Sequence, residues 1–197
     1  MFDEKRINEI KQRIPQFVKE KIITLDKDNK RFVEFYIMDG ELSIRTAESL
    51  FILSNDIKLK NTFILPEDFD SYLWVINTSY YSMFYFAGAL LAKNGIKINT
   101  EIGIHSKTFD ALVFYLSEKL ERKFIKEFEA AQKESKNLLG IDDNAKKKTI
   151  ELLARYASEK EKRSTFTYKM GNIAKKNKAE TSLKRAKEFI EHVKGLL

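Results

Sequence analysis

LWVINTSYYSMFYFAGALLAKNG, residues 73–95, is the most hydrophobic stretch of the chain, and its reading decides the fold. Leu73, Ile76, Tyr80, Met83/Phe84, Ala87 and Leu90/Leu91 recur at spacings of three and four, the period of an α-helix. From Tyr80 onward apolar residues occupy most of the circumference, so this helix is expected at the centre of the molecule, buried on more than one side. Pro66, followed by Glu67, Asp68 and Asp70, is expected to open it, with negative charge at the positive end of the helix dipole. Asn94-Gly95 supplies a left-handed stop. The longest apolar run, Met83 to Ala92, ends at Lys93, too short to cross a bilayer.

Working outward, the same period recurs. Ile7, Ile10, Ile14 and Phe17 form one apolar stripe over residues 2–22, with a break expected at Pro15 because proline removes a backbone donor. Asp26 to Lys30 reads as a polar loop. Residues 31–54 suit a helix containing Gly40, and Ser106 is a plausible N-cap for a helix that carries Phe109, Leu112/Val113 and Leu116 and continues toward Leu139. Asp142 or Asp143 caps the next helix, which runs into a terminator at Gly171-Asn172. A last amphipathic helix spans about 179–197. The expectation is an all-α, up-and-down bundle with a four-helix core over residues 41–197, preceded by a helical extension at 1–40.

Composition narrows the chemistry. The chain has 197 residues, seven Gly, two Pro, no Cys and two widely separated His. Disulfides and thiolate metal sites are therefore excluded, and a His-based zinc site has too few ligands, so no metal or other cofactor is expected. No apolar signal region follows Met1, and an intracellular, cytoplasmic protein is the corresponding expectation. The net charge of +7 favours a polyanionic partner. That charge is concentrated: Lys146 to Lys178 holds eleven Lys or Arg against three Glu, a net +8, and leaves the rest near neutral. The segment lacks a wide apolar face, which argues against insertion into a membrane surface.

The run Ser79-Tyr80-Tyr81-Ser82-Met83-Phe84-Tyr85-Phe86-Ala87-Gly88-Ala89-Leu90-Leu91-Ala92-Lys93-Asn94-Gly95 resembles the second helix of HEPN-domain proteins, where small and aromatic residues alternate. The likeness extends through His105-Ser106 and the helix after it to Arg163–Tyr168 and a terminal amphipathic helix, covering about residues 41–197. It implies a helical bundle, a homodimer, and, as in many members, a metal-independent ribonuclease that acts as the toxin of a pair whose antitoxin is a small nucleotidyltransferase. The family hallmark is Arg, four to six intervening residues, then His. Arg163 matches the Arg, and Tyr168 stands where the His is expected.

That departure has a physical cost. Imidazole exchanges protons near neutral pH, whereas a phenol with a reference pKa of about 10 stays protonated unless a cation such as Arg163 or Lys169 stabilises its anion. Tyr168 can instead stack a base while Arg163 grips a phosphate, with Lys162, Lys169 and Arg155 adding positive charge. Residues five apart on a regular helix point about 140° apart, so Arg163 and Tyr168 share a site only where the helix ends, which the poor helix formers Ser164 to Thr167 favour. Against these roles, Glu159 four residues before Arg163 suits a surface ion pair. His105, at a helix start, is the remaining proton carrier, and His192 pairs with Glu188. Tyr81 and Tyr85, with Arg45 on the preceding helix, outline a nucleotide pocket, although tyrosines at helical spacing more often serve as core. Two functions are compatible with this pattern: an RNA- or nucleotide-binding protein, toxin-like and ribonucleolytic, or a non-enzymatic interaction module that docks a nucleotidyltransferase with a degenerate site.

Overall fold

A computed structural model describes residues 4–132, 141–168 and 174–197; the side chains of residues 4, 118–120, 122–132, 141–146 and 168 lie outside that description. The described chain is an all-α bundle. Its elements are α1 (Glu4–Lys19), β1 (Ile23–Leu25), a 3-10 helix (Lys27–Phe32), α2 (Val33–Asn55), α3 (Ile57–Thr62), α4 (Tyr72–Lys93), β2 (Ile96–Ile98), α5 (Ile104–Gln132), α6 (Ile141–Tyr168) and α7 (Lys176–Lys194). None of the described helices is long and apolar enough to cross a membrane.

The expected central helix is α4. It packs most extensively on α2, then on α7, and also touches α5 and α6. Thirteen of its residues are buried, among them Tyr80, Met83, Phe86 and Leu90. The main core gathers these with Leu112, Leu116, Leu153, Tyr156 and Phe189 from three other helices. A smaller cluster under the other end of α4 joins Ala47, Val75, Ile76, Ala179 and Leu183.

α4 begins later than the sequence suggests. The stretch after Pro66 is a turn, closed by Phe69 N–H donating to the Pro66 carbonyl, and the buried Lys60 ammonium donates to the Glu67 carbonyl at 2.7 Å. Ser71 N–H donates to Ser54 Oγ at 2.9 Å, and helix starts only at Tyr72, whose N–H meets Asp70 Oδ1. The far end conforms to expectation: Gly95, at φ +69°, takes the left-handed position that glycine adopts without penalty.

The break expected at Pro15 is absent. α1 runs unbroken through it, and Ile10 and Ile14 are both fully buried in the main core. Burying two isoleucines contributes about 1.5–3 kcal/mol each, which offsets the roughly 3 kcal/mol that an interior proline costs. α1 is thus built into the core, and the 40/41 boundary expected from sequence falls inside the continuous α2. Asp26 to Lys30, expected as loop, mostly forms the 3-10 helix, which Asp26 caps by accepting from Asp28 N–H; the buried Asn29 donates to the Ile96 carbonyl. A two-stranded antiparallel ribbon, Ile23 opposite Ile98 and Leu25 opposite Ile96, ties the end of α1 to the end of α4. Three-residue strands leave no legible alternation.

α6 also differs. It continues as helix through Ser164 to Thr167, because Phe166 packs on the smaller cluster and Thr167 Oγ1 donates to Asn77 Oδ1 at 2.8 Å, contacts that outweigh weak propensity. The continuation of α5 toward Leu139 and the expected terminator Gly171-Asn172 lie outside the described residues.

α2 and α4 meet at Gly40. A Cβ there would stand 2.7 Å from the ring of Phe86, which is fully buried. The Gly40→Ala variant gains about 1 kcal/mol of helix propensity and loses about 1–3 kcal/mol to overpacking. Because Phe86 has nowhere to go, the clash wins. Thermal unfolding followed by circular dichroism is expected to show a melting temperature lower by a few degrees, about 2–4 °C per kcal/mol for a chain of this size; an unchanged or higher value would mean that the helices part without cost.

Candidate functional site

Packing α1, α5 and α6 together leaves a cavity of about 1230 Å³, walled by Arg6, Arg13 and Phe17 from α1, by the first turns of α5, and by one face of α6. Five cations line it: Arg6, Arg13, Lys107, Lys160 and Arg163. Two carboxylates, Asp110 and Glu161, oppose them.

Each cation is held in place. Arg13 grips the buried Asp110 with two parallel bonds, Nε to Oδ2 at 2.8 Å and Nη2 to Oδ1 at 2.7 Å, fastening α1 to α5. Lys160 Nζ donates to Ser106 Oγ at 2.6 Å, and Lys107 Nζ to the Ile102 carbonyl at 2.7 Å. Arg163 Nη2 donates to the Tyr81 hydroxyl at 2.8 Å while its guanidinium lies 5.1 Å from the Tyr81 ring centre and 5.7 Å from that of Tyr80. For Lys107, Lys160 and Arg163 a carbonyl or hydroxyl orients the donor without cancelling its charge, as an anion site requires, whereas Asp110 neutralises Arg13 and Glu9 pairs with Arg6 at 3.1 Å.

His105 sits among rings, 4.4 Å from Phe84 and 5.6 Å from Tyr81 between centroids. Burial first, and then the charges of Arg163 and Lys160, push its pKa down to about 4. It is a neutral imidazole at pH 7, and its buried Nδ1 meets no hydrogen-bond partner among the described residues. The Lys160 ammonium is likewise held below its ordinary value, by burial above all; Arg6 and Arg13 push the same way and Asp110 opposes them. Burial also pushes the Tyr80 and Tyr156 phenols up, so both stay protonated. The described residues contain no cluster of His, Cys, Asp or Glu able to hold a metal ion.

The residues expected from sequence are placed as follows. Arg163, His105 and Tyr81 come together at the cavity, although they stand on three different helices. Lys162 turns to the opposite side of α6: its Nζ donates to Glu159 Oε1 and Ser182 Oγ, both at 2.8 Å, against α7. Glu159 is therefore no surface partner of Arg163. It is fully buried, accepting from Lys162 and from Arg185 at 2.9 Å. Arg155 is ion-paired with Glu188, and His192 Nδ1 meets the Glu188 carbonyl at 2.6 Å. Arg45, exposed on α2, pairs with Glu41 at 3.7 Å, and Glu48 pairs with Lys187. Tyr81 and Tyr85 are half-buried and belong to neither apolar cluster. Lys169 and the side chain of Tyr168 lie outside the described residues; the helix itself puts position 168 about 140° around α6 from Arg163.

Sequence reading missed Arg6, Arg13, Lys107 and Lys160. Lys160 was recoverable, since it precedes Arg163 by three and so shares its side of a helix. Arg13 was not, because its partner Asp110 lies 97 residues away.

The depressed His105 gives a pH signature. Below about pH 6.5 the unfolded chain protonates this imidazole and the folded one does not, so the folded state loses stability between pH 6.5 and 4 and is unaffected by His105 above pH 7. An imidazole NMR titration is expected to give a midpoint near 4 in the native protein, moving upward in Arg163→Met; a midpoint near 6.5 would place His105 in open solvent.

We find no match to this chain among models of protein families, curated proteins or solved structures. The likeness to HEPN proteins thus rests on the sequence alone, from the α4 run through His105-Ser106 and the helix after it to Arg163–Tyr168 and the terminal helix.

Proposed function

We propose that this is a HEPN-like protein that binds RNA or a nucleotide through phosphate, at the cavity between α1, α5 and α6. The observation that carries the reading is the convergence of Arg6, Arg13, Lys107, Lys160 and Arg163 on one concave surface, in a chain whose net charge is +7. A phosphate entering there meets an oriented guanidinium, two ammonium groups and the hydroxyl of Ser106, all held in advance by contacts within the protein. Fixed donors save the ordering cost of binding.

The resemblance adds a partner and an assembly: a nucleotidyltransferase encoded beside it, with this chain as the toxin-like member, and a homodimer. Cleavage of RNA is the second reading. It is favoured by the neutral imidazole of His105 beside Arg163, a proton acceptor next to a phosphate-binding cation. The same low pKa makes it a weak base, so binding is the primary reading.

Lys160→Ala and Arg163→Ala are each expected to weaken binding of a labelled oligonucleotide several-fold at low salt and to reduce the salt slope by about one. Arg155→Ala removes the same charge from the opposite side of α6, where Glu188 neutralises it, and is expected to leave affinity within about twofold. Equal losses in all three variants would reduce the site to a diffuse charge effect, and no binding by the wild type would overturn it.

A further inference from the structure

Trp74, Thr78, Tyr81, Tyr85 and Gly88 recur at spacings of four, three, four and three along α4 and so share one side of that helix. Trp74 is 60% exposed. Like Tyr81 and Tyr85, it belongs to neither apolar cluster, although Tyr81 rests on the buried Tyr80 and Tyr85 on Phe84, so the two tyrosines stand at the margin of the core with part of each residue exposed. Tyr81 lies 6.3 Å from Tyr85 between centroids, beyond Tyr85 the ring of Tyr36 covers Gly88, where a Cβ would stand 3.1 Å from it, and Trp74 stands on the same side of the helix two turns before Tyr81. Tyr36 in turn meets Phe35 edge-on at 5.9 Å, and Phe35 is 51% exposed. From Trp74 to Gly88 the ridge is about 21 Å long at 1.5 Å per residue. Arg163 joins the two features. It lines the cationic cavity and also lies over the Tyr81 ring, which places the ridge at the cavity's edge.

Cationic grooves that follow a backbone, with aromatic side chains alongside, are how proteins hold single-stranded nucleic acid, because every base has a face to stack and only an unpaired base presents it. We infer that the α4 ridge is a base-stacking platform and that the ligand of the adjacent cavity is an unpaired RNA strand, whose phosphates enter past Arg163 while its bases lie against Tyr81, Tyr85 and Trp74. This rests on the proposed binding of phosphate in the cavity and specifies the class of nucleic acid. A duplex turns its base faces inward and gains nothing from the ridge. A Tyr81 ring already fixed by Arg163 gives the first base a preset surface, and the exposed Trp74 and Phe35 extend the platform in opposite directions.

Trp74 is the chain's single tryptophan, so its fluorescence reports on the ridge alone. Purified full-length protein is titrated at low salt with three probes of equal length and charge: a single-stranded oligouridylate, an abasic single strand and a hairpin duplex. The expected result is quenching of Trp74 by the oligouridylate only, with affinity about tenfold or more above that of the abasic strand. Trp74→Ala/Tyr85→Ala abolishes that preference, and Trp74→Phe/Tyr85→Phe, which preserves packing and ring faces, retains it by anisotropy. If all three probes bind alike with Trp74 unquenched, yet Lys160→Ala still weakens them, the ridge assignment falls and the phosphate site stands. That second result is also what a ridge built to dock a protein would give. If no probe binds, both fall.

Discussion

A helix that is apolar around most of its circumference has to be enclosed, and α4 imposes that requirement on the molecule. Tyr80, Met83, Phe86, Ala87 and Leu90 line one broad face of its middle, and Ser79, Ser82, Ala89 and Leu91 are buried beside them, so α2, α5, α6 and α7 all contact it and only the side that carries Tyr81 and Tyr85 stays half-buried. Close enclosure requires small residues at the crossings. Gly40 against Phe86 and Gly88 against Tyr36 bring α2 and α4 within reach of each other's rings, and this pair has the largest interface of the fold. With α4 at the centre, chemistry is confined to its rim. That is where Tyr81 and Tyr85 emerge and where the cationic cavity lies.

A second constraint fixes how α6 is turned. The helix is rich in cations and poor in apolar residues, so hydrophobic packing alone sets its rotation weakly. Glu159 sets it firmly: a fully buried carboxylate accepts from Lys162 and Arg185, and Lys162 also donates to Ser182 on α7. Breaking such a pair leaves a buried charge uncompensated, at about 3–5 kcal/mol, so other rotations of α6 are strongly disfavoured. With Glu159 and Lys162 turned toward α7, Lys160 and Arg163 are turned toward the cavity. Neighbouring cations thereby take different places, Lys162 neutralised against α7 and Lys160 and Arg163 lining the cavity.

This division explains what the sequence disclosed. The central position of α4 was legible because its pattern is long and periodic, and its stop at Gly95 because left-handed geometry favours glycine. The start of α4 was obscured by Pro66, whose acidic neighbours look like a first turn while Lys60 and Ser54 hold that stretch outside the helix. The unbroken course of α1 and α6 was hidden for a similar reason: Pro15 and Ser164 to Thr167 are unfavourable locally, and the contacts that outweigh them are made with distant segments. At the site, Arg163, His105 and Tyr81 could be picked out as residue types, and the charge of their segment could be counted. Which face each cation occupies could not, because Lys162 and Arg155 look no different in sequence from Lys160, and only the buried Glu159 and the paired Glu188 separate them.

The electrostatics of the cavity also bear on how a ligand would be received. Burial above all holds the Lys160 ammonium below its ordinary value, with Arg6 and Arg13 pushing the same way against Asp110, and burial followed by the charges of Arg163 and Lys160 does the same to His105, so both groups stand where their charged forms are disfavoured. An anion seated there offsets the cations' share of that effect. It stabilises the protonated forms of both groups, so their pKa values must rise on binding, and by reciprocity the anion binds more tightly once they are protonated. On the proposed reading, phosphate binding and proton uptake would be linked, with His105, whose pKa is about 4 in the free protein, as one of the groups that takes up the proton.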